Sequence, residues 1–299
     1  MRELVIGKGF IGKAYGEYSN GQGNDVFTAS RRPEGENELY VDLSDPATID
    51  RALEFTQPDV VVNCAAILGR NPGDRVENNP TYTRNLLESA GRVGSDLSRI
   101  VVLGSAAEYG PVAEDDLPIA EDAPLNPNNP YGISKKEEVQ TALELAEARD
   151  LPLVVGRIFN PLGPGLHPSN LTSRVLGQVE AIRNGDQAPI IEVRNLEAAR
   201  DYLHVKDCVQ AMGILASTGR LPYKVFNIGS GKRTTNQEII EAVLENVDGR
   251  DIAYRATDNT PEPLVGAVQA DISRLNELGY APQYDIRRTI GEVVEEASS

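Results

Sequence analysis

The chain of 299 residues has no tryptophan, two histidines and two cysteines. His167 and His204 lie far apart in sequence, and no Cys/His/carboxylate cluster accompanies either. A transition-metal site is therefore not expected. Cys64 and Cys208 are too few for a disulfide framework, and each sits in an apolar stretch as a small core residue. No apolar run approaches the roughly 20 residues of a membrane-spanning helix. The chain opens directly on a strand-like Arg2–Ile6 and not on a signal peptide, so a cytoplasmic protein without membrane attachment is expected. Cations are scarce, 29 Lys and Arg against 45 Asp and Glu, for a net charge of -16. That balance argues against non-specific nucleic-acid binding. It also means that an anionic ligand must be met by a local group of Arg, Lys and backbone N–H donors. Repeats and low-complexity runs are absent, and 40% hydrophobic content supports a globular chain of one large domain or two coupled ones.

What the sequence does contain is an ordered β/α alternation. Residues 2–6 form an apolar strand pattern, followed by Gly7-Lys8-Gly9-Phe10-Ile11-Gly12 and a helix over 11–18. In such a turn the first glycine permits the tight bend and the second lets a pyrophosphate approach the backbone. The third lets helix pack on strand, and the phosphate sits on helix N–H groups. The second strand, near 25–29, runs into Ser30-Arg31-Arg32. Many dinucleotide sites place a carboxylate there for the adenosine ribose; two guanidinium groups suit a 2′-phosphate instead. A solvated basic loop is the plainer reading, but the phosphate reading is favoured. It selects NADP(H), with NAD(H) as the alternative. A short strand at 39–41 leads to Asp42-Leu43, where an adenine edge could be read. A helix is expected over 47–55, a strand over 58–63 with the small-residue exit Asn63-Cys64-Ala65-Ala66, and a helix over 75–93 carrying Asn79 and Thr83.

The strand over 100–103 delivers Ser105 to the carboxyl end of the sheet, where open α/β sheets bind ligands. Residues 111–130, rich in Pro, Asp and Asn, read as an acidic, mobile loop over the site. A helix over 131–149 places Tyr131 and Lys135 one turn apart on one face. An ammonium beside a phenol favours the phenolate and readies the hydroxyl for proton transfer. Glu137, Glu138, Glu144 and Glu147 of this helix read as a solvated face. After a strand over 152–158 carrying Arg157, the alternation blurs. Helices over 171–184, 207–217, 235–247 and 285–297 mix with short strands at 189–193, 202–205, 224–228 and 251–255. The expected architecture is α/β, a doubly wound parallel sheet with a smaller mixed lobe. The expected division falls near residue 165, with chain crossings between the parts (1–165 and 166–299).

Taken together, these residues resemble the extended short-chain dehydrogenase/reductase family, in its nucleotide-sugar epimerase/dehydratase/reductase branch. The resemblance rests on Gly7-x-Gly9-x-x-Gly12, Asp42-Leu43, Asn63-x-Ala65-Ala66, Ser105 with Tyr109-Gly110, and Tyr131-x-x-x-Lys135. It continues through Arg157-x-x-Asn160, Arg200-Asp201-Tyr202 with Val205 and Asp207, and Phe226-Asn227-x-Gly229-x-Gly231. The stretches at 104–110, 157–165 and 195–202 look most like GDP-4-keto-6-deoxymannose reductases.

The resemblance implies a Rossmann-type fold that binds NAD(P) through Gly7, Gly9, Phe10, Ile11, Gly12, Ser30, Arg31, Arg32, Asp42, Leu43, Ala65, Ala66, Asn79, Tyr131 and Lys135. It implies that Tyr131 exchanges a proton with a sugar carbonyl, that Lys135 lowers the tyrosine pKa, and that Ser105 orients the carbonyl. Asn160 and Arg200 become candidates for sugar or diphosphate contact, and Arg157 is expected to be structural or at the cleft edge. Dehydratases of this branch place Asp-Glu directly after the Ser/Thr; here Ala106 and Ala107 stand there. A ketoreductase acting on a nucleotide-activated 4-keto-6-deoxy sugar is therefore expected. An NAD-dependent nucleotide-sugar 4-epimerase is the first alternative and a non-catalytic dinucleotide-binding sensor or scaffold the second. Family members often form homodimers through two helices, for which 75–93 and 131–149 are the candidates. Three departures bear on nucleotide recognition. Tyr82 stands where the family has glycine, Arg194 does so before Asn195, and Thr260-Pro261-Glu262-Pro263 lacks an Arg-Pro pair.

Overall fold

A computed structural model of the chain describes residues 1–69, 74–93, 96–166, 170–249, 251–257 and 267–297. His167 and the 260–263 stretch lie outside the described residues. In chain order the elements are β1 (Arg2–Ile6), α1 (Phe10–Gly21), β2 (Asp25–Ser30), β3 (Glu38–Tyr40), α2 (Pro46–Thr56), β4 (Val60–Asn63), α3 (Asn79–Val93), β5 (Arg99–Ser105) and α4 (Pro130–Ala148). There follow β6 (Leu153–Ile158), β7 (Pro161–Leu162), α5 (Leu171–Arg183), β8 (Ile190–Val193), β9 (Ala199–Arg200), β10 (Leu203–His204) and α6 (Val205–Ser217). The remainder is β11 (Val225–Ile228), β12 (Thr234–Thr235), α7 (Asn236–Asn246), β13 (Ala253–Ala256), α8 (Ser273–Asn276) and α9 (Ile286–Ala297).

Seven strands pair in parallel in the order β11-β6-β5-β4-β1-β2-β3. The order reverses at β1, which gives a doubly wound sheet with a crevice at its carboxyl edge beside β1 and β4. Register fixes what lies along that edge. Ile6 is level with Ala29 on one side and Asn63 on the other, and Ser105 is level with Ile158. The residues that follow each strand therefore open onto one line.

The strands are continuous apolar runs because both faces of the sheet are covered. Val5, Val60, Val62, Val101 and Val154 face one side with Tyr15 of α1 and Val209, Met212 and Leu215 of α6. Leu4, Ile6, Val61, Ile100, Val102 and Val155 face the other, with Ile49 and Leu53 of α2, Leu86 and Leu87 of α3, and Val139 and Ala142 of α4. Tyr82, at the position where the family has glycine, packs against this second core. Residues 205–228, beyond the expected division at 165, return to the sheet: α6 packs on α1 and β11 extends the sheet beside β6.

A separate core holds the smaller lobe, with Val175 and Val179 of α5, Ile239 and Val243 of α7, and Ile290 and Val294 of α9. Its short strands pair as β8 with β13 and β9 with β12. The mobile loop expected over 111–130 is corrected by the structure. Ile119 is fully buried and bridges to Ala270. It packs in a small core with Tyr109, Phe159 and Val268. Glu121 is buried as well, and its carboxylate accepts the Asn227 N–H at 2.9 Å. The acidic composition hid these anchors because their partners come from the far end of the chain.

Candidate active site

At the nucleotide end, the fingerprint turn has the steric logic expected of it. Gly7 has φ +104, and a Cβ there would stand 2.7 Å from the Ala65 nitrogen. A Cβ on Gly12 would meet the Gly7 carbonyl at 1.9 Å, so α1 can start this close to β1 only with glycine. Gly9 caps α1 with no side-chain hydrogen bond, and a Cβ there would face open space. The first-turn N–H groups of α1 are thus free of side-chain caps, and none of the first-turn residues is acidic. That is a fitting seat for a pyrophosphate. Phe10 and Ile11 are half-buried against the α1/α6 core, and after β4 the Ala65 backbone lies against Gly7, with Ala66 exposed beyond it.

Arg31 and Arg32 are exposed at the end of β2, and the Ser30 hydroxyl accepts the Arg32 N–H at 3.1 Å. Arg31 lies close enough to Asp42 to act on its charge. The Asp42 carboxyl is held below the usual range by hydrogen bonds from Ser44 N–H and hydroxyl, with Arg31 adding to the effect. Leu43 is buried beneath it. Lys8, inside the fingerprint, was not singled out by the sequence. Its ammonium bonds Glu38 at 2.7 Å and Glu34 at 3.3 Å, and these carboxylates hold its pKa above the usual value. Lys8 is matched by Glu34 and Glu38 and Arg31 lies near Asp42, so the charges at this end of the sheet are mixed, with the two guanidinium groups exposed.

At the other end, α4 brings Tyr131 and Lys135 to Ser105. Asn129 caps the helix by accepting the Gly132 N–H at 2.9 Å, and Pro130 occupies the first turn. A Cβ on Gly132 would meet the Ala107 carbonyl at 2.4 Å, so the helix can approach the turn after β5 only with glycine there. Ser105 is extended (φ -146, ψ 144), and its hydroxyl is near enough to the Tyr131 phenol to act on its pKa. Burial raises the Tyr131 pKa; the Lys135 ammonium and the Ser105 hydroxyl pull it down, and Glu138 and Glu108 push it up again. The net direction is upward, not the downward shift expected from Lys135 alone.

Burial is the main reason, and two carboxylates add to it. Glu138 is corrected from a solvated position to a buried one, 1% exposed. Its carboxylate accepts the Lys135 ammonium at 2.6 Å and the Thr83 hydroxyl at 2.8 Å. Glu137, Glu144 and Glu147 are exposed as expected. Glu108 turns away from the cleft: one carboxylate oxygen accepts the Ser105 N–H at 2.7 Å and the other the Arg157 Nε at 2.9 Å. Arg157 also donates to Tyr109 Oη and to the Glu121 carbonyl, and Tyr109 donates to Asn227. This buried network ties Ser105 to the 111–130 segment and to β11. Arg157 is structural, as expected, and Tyr109 is a packed turn residue.

Asn79 lies in the wall after β4. Its amide is engaged on both sides with Ile67 N–H and C=O, at 2.8 and 3.0 Å, and reaches Ser134 at 3.3 Å. It braces the wall after β4. Asn160 and Arg200 sit together at the seam between sheet and lobe. Asn160 donates to the Asp201 carbonyl at 3.0 Å, and Arg200 to Ala199 C=O at 2.7 Å. Asp201 accepts Ser230 N–H and hydroxyl, Gly231 N–H and Ala270 N–H, so it organises the turn after β11. Burial pushes the Cys64 thiol up to about 12, which leaves it inert at neutral pH. Among the described residues there is no group of three or more potential metal ligands and no helix long and apolar enough to cross a membrane.

Residues 4–229 match the model of the NAD dependent epimerase/dehydratase family. A dTDP-6-deoxy-L-talose 4-dehydrogenase (NAD(P)(+)) from Kitasatospora kifunensis is 29% identical over 98% of this chain and 93% of its own length. A GDP-6-deoxy-D-mannose reductase from Pseudomonas aeruginosa is 27% identical over 89% of this chain and 84% of its own. A UDP-glucose 4-epimerase from Cyamopsis tetragonoloba is 26% identical over 82% and 74%. Among solved structures, RMD from Pseudomonas aeruginosa complexed with NADPH superposes with TM-score 0.84 at 25% identity over the whole of both chains.

Proposed function

Because the chain belongs to the NAD dependent epimerase/dehydratase family, we propose that it is an NADPH-dependent ketoreductase for a nucleotide-activated 4-keto-6-deoxy sugar. The chain is an NAD(P)-dependent enzyme of a nucleotide-sugar epimerase/dehydratase/reductase family. The observation that carries the finer reading is the exposed Arg31/Arg32 pair at the end of β2, beside the open first turn of α1. It suits a 2′-phosphate, and reductive steps draw on the phosphorylated cofactor. Ala106 and Ala107, in place of an acid and a base, weigh against water elimination.

Bound NADPH would supply the hydride. The Tyr131 phenol, kept protonated by its surroundings, gives its proton to the sugar carbonyl oxygen as negative charge develops there. The Ser105 hydroxyl, oriented by the backbone that Glu108 holds, donates a hydrogen bond to the same oxygen. Lys135 holds positive charge next to the phenol and stabilises the phenolate left behind. The fingerprint N–H groups bind the pyrophosphate, Ser30, Arg31 and Arg32 the 2′-phosphate, and Asp42 and Leu43 line the adenine. Asn160 and Arg200 face the nucleotide sugar. α3 and α4, packed side by side, offer the surface for a homodimer.

The test is loss of reduced-nicotinamide absorbance with NADPH or NADH and GDP- or dTDP-4-keto-6-deoxyhexoses. Loss with NADPH that disappears in Tyr131→Phe supports the reading. No loss with either cofactor, despite tight cofactor binding, overturns it. A second reading, an NAD-dependent 4-epimerase, keeps its place because Ser105, Tyr131 and Lys135 suffice for that reaction and a 4-epimerase is among the relatives. Interconversion of UDP-sugars without net cofactor use would select it. Tight dinucleotide binding with neither activity would leave a sensor or scaffold.

A further inference from the structure

Lys135 is 2% exposed and its ammonium lies 2.6 Å from a Glu138 carboxylate that is itself 1% exposed. A buried charge pair of this kind is costly to build and has no need to sit inside a catalytic triad. The second Glu138 oxygen is fixed by Thr83 of α3, whose hydroxyl accepts the Asn63 amide of β4 at 3.3 Å. The carboxylate is thus pinned from two neighbouring elements, in a place where it competes with the Tyr131 phenolate for the same ammonium. We infer that Glu138 is a positioning residue that holds the Lys135 ammonium and, together with burial, makes Tyr131 hold its proton more firmly, favouring delivery of a proton to a carbonyl over removal of one from an alcohol. The inference rests on the ketoreductase reading for its direction of use, but not for its chemistry.

The groups that face the pair agree with it. From the turn after β5, Glu108 adds a second negative charge, partly offset by Arg157 of β6 behind it. From α3 and β4 come only neutral groups, Thr83, Asn79 by way of Ser134, and Asn63. Burial pulls the Lys135 pKa down, but Glu138, Tyr131 and Glu108 outweigh it and raise it. Removing the Glu138 charge takes away a negative neighbour and leaves the Lys135 ammonium to the phenolate, so the Tyr131 phenol should give up its proton more readily.

The experiment is an ultraviolet titration of tyrosinate in the cofactor-free protein, each variant read against its own Tyr131→Phe counterpart. Glu138→Gln and Glu138→Met both remove the charge, and Glu138→Asp keeps it. In the two neutral variants the Tyr131 phenol should titrate roughly 1–3 pH units lower than in the parent, the range set by one close charge. Glu138→Asp should lie nearer the parent. The alkaline limb of NADPH-dependent ketone reduction should move down by the same amount. An unchanged or higher phenol titration in either folded neutral variant overturns the inference. Because the titration needs no substrate, it stands even if no 4-keto sugar is turned over, and that failure would fall on the ketoreductase reading alone.

Discussion

The two ends of the crevice are held in different ways. At the proton-transfer end, Lys135–Glu138 and Arg157–Glu108 are buried ion pairs, with side chains at most 5% exposed. Each is surrounded by hydrogen-bond partners from other elements. At the adenosine end, Arg31 and Arg32 are exposed and Lys8 bonds two surface carboxylates. Buried charges in a low-dielectric setting hold geometry tightly and are costly to disturb. Exposed charges are screened by salt and can be exchanged with little structural consequence. On the proposed reading, the chemistry would be built into the fold, whereas the choice of cofactor would sit on adjustable side chains.

The contrast can be broken from either end. The largest effect should come from Tyr131→Phe, which removes the proton donor: turnover should fall by roughly 10²–10⁴, with NADPH affinity by fluorescence titration little changed. A comparable fall in affinity would mean that Tyr131 mainly binds. Next is Arg157→Leu, which strands Glu108 without its partner. Denaturant unfolding should show a loss of about 3–5 kcal/mol, and activity should fall with it because Ser105 loses its anchor. A loss under 1 kcal/mol would put this network on a par with surface pairs.

Arg31→Ala and Arg32→Ala should leave unfolding within about 0.5 kcal/mol of the parent. Each should raise KM for NADPH about tenfold, the effect of one charge-assisted contact worth roughly 1.5 kcal/mol, while KM for NADH stays near its starting value. Equal effects on both cofactors would remove the 2′-phosphate reading. The smallest effect concerns Asp42, whose carboxyl is held below its ordinary 3.8 by the Ser44 hydrogen bonds. A carboxyl depressed in the folded state adds stability that is fully present above 3.8 and is lost as pH falls through its folded value. The melting difference between parent and Asp42→Asn should be constant above that point and close below it. A difference that widens on acidification would reverse the sign.

Much of this frame was readable in the residues. The fingerprint, the order of strands and helices through β6, and the Tyr131/Lys135 pair follow from apolar periodicity, glycine placement and helical spacing. Glu138 did not stand out because it lies in a Glu-rich stretch. Its position could have been found, since Tyr131, Lys135, Glu138, Ala142 and Ala146 recur at the helical period and share one inward stripe. The 111–130 segment was misread as mobile because composition reports solvation but not distant partners, and Ile119 is held by Ala270. The lobe yielded its helices but not its short pairings. Strands of two residues such as β9 and β12 carry no periodic signal. The arrangement of Asn160 and Arg200 depends on those pairings.

The central claim is net hydride delivery to a sugar carbonyl with a proton from Tyr131. The most direct measurement is the fate of deuterium from NADPH deuterated at the transferring nicotinamide carbon, read by mass spectrometry of the sugar after incubation with a 4-keto-6-deoxy nucleotide sugar. The account predicts one deuterium per product, stoichiometric NADP⁺, and neither in Tyr131→Phe. Sugar converted without deuterium and without NADP⁺ would contradict it and point to an enzyme that only inverts stereochemistry.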